Sequence, residues 1–265
     1  MECALTRLPV VTEHPATLKF AHPLVLLPEL FTTISHLSLL TGYLVSLGWE
    51  VSVLDLYAET AGAASELEDL VGRTAEAVGA LDRPVIALGH GLGGVIALGL
   101  TTRPAVAAGV ALAPALPGSD SPFCRGLRNR LAMRFGGMLR PPRGPTLFEL
   151  VSDADEFQRE SLIRTLRPVS GQVMRDFAAG AFTIGRAEGK PRLIITGDAD
   201  IFAPLERVRS LATIARAELA TLAGRGHWLV GGRALERAVH EAQRFLVKAL
   251  GRELLLLYPE DPATG

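Results

Sequence analysis

Short runs of consecutive apolar residues alternate along this chain with longer stretches in which apolar positions recur every three or four residues. The first pattern suits strands buried on both faces and the second amphipathic helices, so their alternation predicts a mostly parallel sheet with helices on both sides. LVLLP at 24–28, WEVSVLDL from 49, PVIALGH at 84–90, GVALAPA at 109–115, RLIITG at 192–197 and ELATL at 218–222 read as the strands. LTRLPVV and ATLKF near the start are candidate antiparallel edge strands.

Helical spacing covers roughly 36–47, ending at Gly48. It returns after Ser65 and Glu68, which have capping-box spacing, with Leu67, Leu70, Val71, Ala75 and Val78 on the inner face. A final helix carries Leu235, Ala238, Val239, Ala242, Phe245 and Leu246. Between Ala115 and Arg192 the chain is too long for a simple crossover and holds several helix-like stretches. This predicts an α/β core formed by 1–118 and 185–265, with 119–184 inserted as a helical cap at the end of the sheet where such folds place ligands. After Gly251 the apolar LLLLY can dock on the body.

Composition adds limits rather than chemistry. A chain of 265 residues, 48% apolar and 21% charged, supports one large α/β domain. A net charge of −1 argues against nucleic-acid binding. Two cysteines, Cys3 and Cys124, provide neither a disulfide framework nor a CxxC pair, and Arg7 interrupts the first apolar run. The expectation is a reduced, cytoplasmic protein needing no metal or organic cofactor. The interval between Arg83 and Arg103 has no formal charge, but its GHGLGG centre predicts a turn between a buried strand and a buried helix, not a membrane span.

That turn, Gly89-His90-Gly91-Leu92-Gly93-Gly94, is the informative motif. A strand, a sharp glycine-flanked turn and a helix form the context of a nucleophile elbow, whose central residue presents its side chain above the sheet. Here the central residue is Gly91, and it presents only hydrogen. The chain resembles the α/β-hydrolase superfamily, most closely the capped esterases, C–C hydrolases and lactonases with a GHSxGG elbow. GDADIFAP at 197–204 resembles the segment bearing the triad acid, which falls on Asp200. GRGHWL at 224–229 resembles the segment bearing the triad histidine, which falls on His227. The order of nucleophile, acid and histidine also matches.

Two departures stand out. Gly91 replaces the serine, which closes the acyl-enzyme route through this residue. After LVLLP, where the family has His-Gly and draws one oxyanion-hole amide from the following loop, this chain has Pro28-Glu29-Leu30-Phe31. The Leu92 amide remains a donor. A carboxylate at Glu29 would oppose oxyanion stabilisation, and the commoner place for such a residue is the surface. Three explanations of Gly91 remain open at this stage. His227 oriented by Asp200 acts as general base on a water in the vacated space or on a substrate proton; the protein is a non-catalytic relative that binds a ligand or partner; or Gly91 is an engineered or sequencing change, serine and glycine codons differing by as little as one base. Retention of Asp200 and His227 favours the first and third, and Glu29 weighs against the third. The resemblance implies a small, apolar acyl, ester or lactone ligand, with Phe31, His36, His90 and Trp228 as pocket candidates.

The predicted cap opens with six arginines (125, 128, 130, 134, 140 and 143) and no acidic residue between Ser121 and Pro145. Phe123, Leu127 and Leu131 repeat every four positions, predicting an amphipathic helix. The arginines are candidates for an anionic group, weighed against a solvated basic face balanced by Glu149, Asp153, Asp155, Glu156 and Glu160. Gly136-Gly137 and PPRGP predict a joint and a break between helices.

Overall fold

The computed structural model describes residues 8–58, 66–118, 126–185 and 189–256. Cys3, Ser65, Phe123, Cys124 and Arg125, all singled out above, lie outside them.

A seven-stranded sheet runs in the order β1-β3-β2-β4-β5-β8-β9. Its strands are β1 (Val10–Glu13), β2 (Leu24–Leu27), β3 (Val51–Leu54), β4 (Val85–His90), β5 (Val106–Leu112), β8 (Arg192–Gly197) and β9 (Glu218–Leu222). All pairings are parallel except β1 with β3. β2, β3 and β4 are buried at every position, which explains their continuous apolar runs. Of the two predicted edge strands, β1 forms, whereas ATLKF yields only a bridge from Phe20 to Leu255. That bridge ties the C-terminal segment to the body, with Leu254 fully buried.

Alternation along β5 and β8 shows that both faces are covered. Val110, Leu112, Leu193 and Ile195 join the core cluster that includes Phe245 and Leu246 of α9 (Leu235–Leu250). Ala111 and Ile194, pointing the other way, join Val208 and Ala212 of α8 (Leu205–Ala215). Helices α1 (Ser38–Ser46), α2 (Leu67–Gly79) and α3 (Leu92–Leu100) connect the first half of the sheet. α2 begins after Glu66, with Leu67, Leu70, Thr74 and Val78 inward.

Between β5 and β8 the chain forms α4 (Leu127–Phe135), β6 (Met138–Leu139), α5 (Pro145–Leu150), α6 (Glu156–Thr165), β7 (Val169–Ser170) and α7 (Gly171–Ala178). Gly136 ends α4 in the left-handed conformation and Pro145 begins α5, which accounts for the break expected there. The helix expected from the fourfold apolar repeat forms as α4, and the described members of that repeat are exposed, Leu127 by 75% and Leu131 by 46%.

The topology also decides where chemistry can occur. The chain moves from β2 outward to β3, then crosses back over β2 to begin β4. The strand order therefore reverses between β2 and β4, and the carboxyl ends of such strands are where open α/β sheets place ligands. Leu27 pairs with Gly89 in parallel register. Two residues beyond each pairing partner stand Glu29 and Gly91. No helix among the described residues is long and apolar enough to cross a membrane.

Candidate functional site

Gly91 forms the elbow between β4 and α3, with φ 54° and ψ −117°. A side chain at this backbone would be strained, and glycine relieves that strain. The turn is also tight against its neighbours: a Cβ on Gly93 would lie 2.4 Å from the Leu27 carbonyl oxygen. The glycines around the elbow let α3 press against the end of β2.

The space above Gly91 is filled. A Cβ built on this residue would lie 1.1 Å from Oε2 of Glu29. Glu29, the residue more often expected at the surface, is fully buried, and its carboxylate occupies the seat of a side chain at the elbow. Its Oε1 accepts hydrogen bonds from the backbone N–H of Leu30 at 2.5 Å and of Leu92 at 3.2 Å. These are the amides that an oxyanion hole would draw on, one from each strand end. The Glu29 backbone is fixed as well, because its carbonyl accepts from the N–H and hydroxyl of Thr32. Phe31 follows at φ 68°, an uncommon conformation for a non-glycine residue, and its carbonyl accepts the Arg167 N–H.

Asp200 and His227 converge on the same point from the loops after β8 and β9. The His227 Nδ1–H donates to Asp200 Oδ2 at 2.8 Å. The other oxygen of Asp200 accepts the N–H groups of Phe202 and Ala203. On the far side of the imidazole, Nε2 lies 3.3 Å from Glu29 Oε2. Glu29, His227 and Asp200 thus form a buried chain, the histidine lying between two carboxylates.

The electrostatics follow from that order. Burial alone would lower the His227 pKa, but Asp200 and then Glu29 outweigh it and push it up to about 10. At neutral pH His227 is therefore an imidazolium, with both ring nitrogens donating. Asp200 is buried, which opposes ionisation, yet the charge and hydrogen bonds of His227 hold its pKa below the usual value. His90 behaves oppositely. Burial, reinforced by the nearby His227 charge, lowers its pKa to about 4. The neutral ring donates from Nε2 to the His227 carbonyl at 2.9 Å, and its buried Nδ1 has no hydrogen-bond partner among the described residues.

Other candidates divide between supporting the loops and lining a cavity. His36 accepts the Thr33 N–H at Nδ1, so Nε2 carries the proton and donates to the Leu162 carbonyl of α6 at 3.2 Å. Burial lowers its pKa. His36 and Trp228 meet edge to face, and with Leu39, Phe157 and Gln158 they line a cavity of about 170 Å³ beside the His227 loop. Phe31 is packed in the core rather than lining that cavity.

Sequence reasoning missed Asp153. Counted there among the acids balancing the arginines, it is in fact 2% exposed and anchors the His227 loop. Its Oδ2 accepts the Gly226 N–H at 2.6 Å and its Oδ1 receives Arg225 at 3.4 Å. Its carbonyl accepts the Arg233 N–H. No local pattern marks it, since its role depends on a contact 73 positions away in sequence. No group of three or more His, Cys, Asp or Glu among the described residues is arranged to hold a metal ion.

A family model described as the alpha/beta hydrolase family matches residues 22–241. No curated protein sequence matches the chain. Among solved structures it is similar to a monoacylglycerol lipase from Paleococcus ferrophilus, with TM-score 0.69 and 19% identity over 92% of this chain and 100% of that one. It is also similar to a carboxylesterase from Nitrososphaera gargenis, with TM-score 0.68 and 18% identity over 94% and 98%. A methylesterase from Arabidopsis gives TM-score 0.65 and 16% identity over 84% and 98%. At these identities the likeness is one of fold. With the family match spanning well over half its length, the chain belongs to the alpha/beta hydrolase family.

Proposed function

We propose that this protein is a hydrolase-type enzyme for small, largely apolar esters, lactones or related electrophiles, in which His227 and Asp200 handle the protons and no serine takes part. The observation that carries the reading is the intact His227–Asp200 pair at 2.8 Å, buried beside two inward-facing backbone N–H groups. Oriented histidines and fixed N–H donors are the parts from which acyl- and alkyl-transfer sites are assembled. The segment 119–184 serves as the cap, with His36 and Asp153 tying core and cap together near His227.

The geometry alters the route sketched from sequence. A water in the place of a missing serine side chain would collide with Glu29, so that space is not available to it. Asp200 and Glu29 raise the His227 pKa, so the imidazole is suited to donate a proton as well as to accept one.

The competing reading is a non-catalytic binding protein. The specific observation in its favour is the burial of every triad member, with Glu29 at 0% and His227 at 1% exposure. Assay of the purified protein on a panel of p-nitrophenyl esters, lactones and other small electrophiles tests both readings. Turnover abolished by His227→Ala supports the enzyme. Absence of turnover across the panel, together with ligand affinity unaffected by His227→Ala, overturns it.

A further inference from the structure

The cavity between α6 and the loop that follows His227 has the walls of a ligand site. Trp228 and His36 are buried there, while Leu39 and Phe157 border it with large apolar side chains left exposed, Phe157 by 88%. No Asp, Glu, Lys or Arg lines it among the described residues. Neither does Glu29, Gly91 or His227, so an occupant can enter without opening the buried chain. The site therefore holds whether the protein is an enzyme or a binding protein.

Its polar groups are few and converge. Oε1 of Gln158 is buried and meets no hydrogen-bond donor among the described residues, a costly and uncommon state for a buried acceptor. A Cβ built on Gly231 would lie 3.0 Å from Trp228 Nε1 and 3.7 Å from Gln158 Oε1. The indole nitrogen and the amide oxygen thus border one small space. Gly231 leaves it open in an extended conformation, φ −166°, that any residue can adopt. An indole N–H only donates and an amide oxygen only accepts, whereas a hydroxyl does both.

We propose that this cavity is a binding site for a small neutral phenol, its hydroxyl donating to Gln158 and accepting from Trp228. Size, charge and shape agree. The cavity is about 170 Å³, and one of about 150 Å³ suffices for benzene. An ionic ligand would give up its hydration with no countercharge to meet it, since burial lowers the His36 pKa and leaves that ring neutral. A phenol stays neutral at pH 7, titrating near about 10. Its ring packs against the indole, imidazole and phenyl side chains that form the walls.

Titration of the full protein with para-fluorophenol and para-fluoroanisole, followed by fluorine NMR, provides the test. The anisole keeps the ring and loses the donor. Saturable binding that favours the phenol is the expected result. Gln158→Leu should weaken the phenol about tenfold, the loss of one hydrogen bond, and leave the anisole within about twofold. Gly231→Ala should weaken both probes, because its methyl group enters the space they share. Phe157→Ala alters an exposed side chain, which spares the fold, and should also weaken both. Equal binding of the two probes overturns the proposal. So does a phenol affinity that none of the three substitutions moves while the melting profile stays intact, or the absence of saturable binding to the unmodified protein.

Discussion

Glu29 and Gly91 occupy one place between them: the carboxylate oxygen of the first lies where the side chain of the second would begin. Their coupling is measurable. Gly91→Ala places a methyl group against a fully buried carboxylate and forces a positive φ on alanine, and should cost about 2–4 kcal/mol. In a Glu29→Ala background the steric part disappears. Chemical denaturation of the four proteins of this cycle should give a coupling energy of about 1–3 kcal/mol; additive effects would show that the side chains do not compete for the same space.

Restoring serine at the elbow is insufficient by itself. Gly91→Ser should lower stability and give no p-nitrophenyl ester hydrolysis above buffer background, because Glu29 still holds both amide donors. The double variant Glu29→Gly, Gly91→Ser frees Leu30 and Leu92 and places a hydroxyl beside His227. It should gain ester hydrolysis, read as release of p-nitrophenol. Activity in the single variant would mean that Glu29 readily leaves its seat.

Stability should depend on pH with a maximum near 6.5. The His227 pKa is raised from 6.5 to about 10, so the folded state retains a proton that the unfolded chain releases. That contribution is complete below 6.5 and declines as pH rises toward 10. The His90 pKa is lowered from 6.5 to about 4, so in that interval the unfolded chain binds the extra proton and stability rises with pH. Asp200, Glu29 and His90 are the titratable groups facing His227. Melting temperature measured from pH 4 to 10 should show both limbs, and His227→Gln should flatten the alkaline one.

Asp153 should matter to the site although it touches none of the three central groups. Asp153→Ala strands the Gly226 N–H and releases Arg225, at a cost of about 2–3 kcal/mol. Asp153→Asn keeps one acceptor and should recover part of it. Hydrogen exchange localised to residues 224–228 checks the mechanism, since the effect belongs to the His227 loop. A uniform change across the sheet would assign Asp153 a general packing role instead.

Much of this architecture was legible because burial on both sides of a parallel sheet leaves a direct trace. β2, β3 and β4 are buried throughout, and their sequences read as unbroken apolar runs. Asp200 and His227 could be located for a similar reason, each following a strand end within a short local motif. Glu29 was harder. A carboxylate beside a leucine carries no local mark of burial, and only the parallel register of Leu27 with Gly89 brings it over Gly91. For α4 the fourfold apolar repeat marked a helix but not which way its apolar face turns, and the structure leaves Leu127 and Leu131 exposed. Asp153 left no local trace because its partners arrive from distant sequence.

The pairing of Leu27 with Gly89 has a consequence for how the site is divided between two strands. Neighbouring parallel strands end side by side, so an address above the sheet can be served from either one. A side chain at position 91 and the carboxylate of Glu29 in its present rotamer exclude each other, so this address holds one functional group at a time.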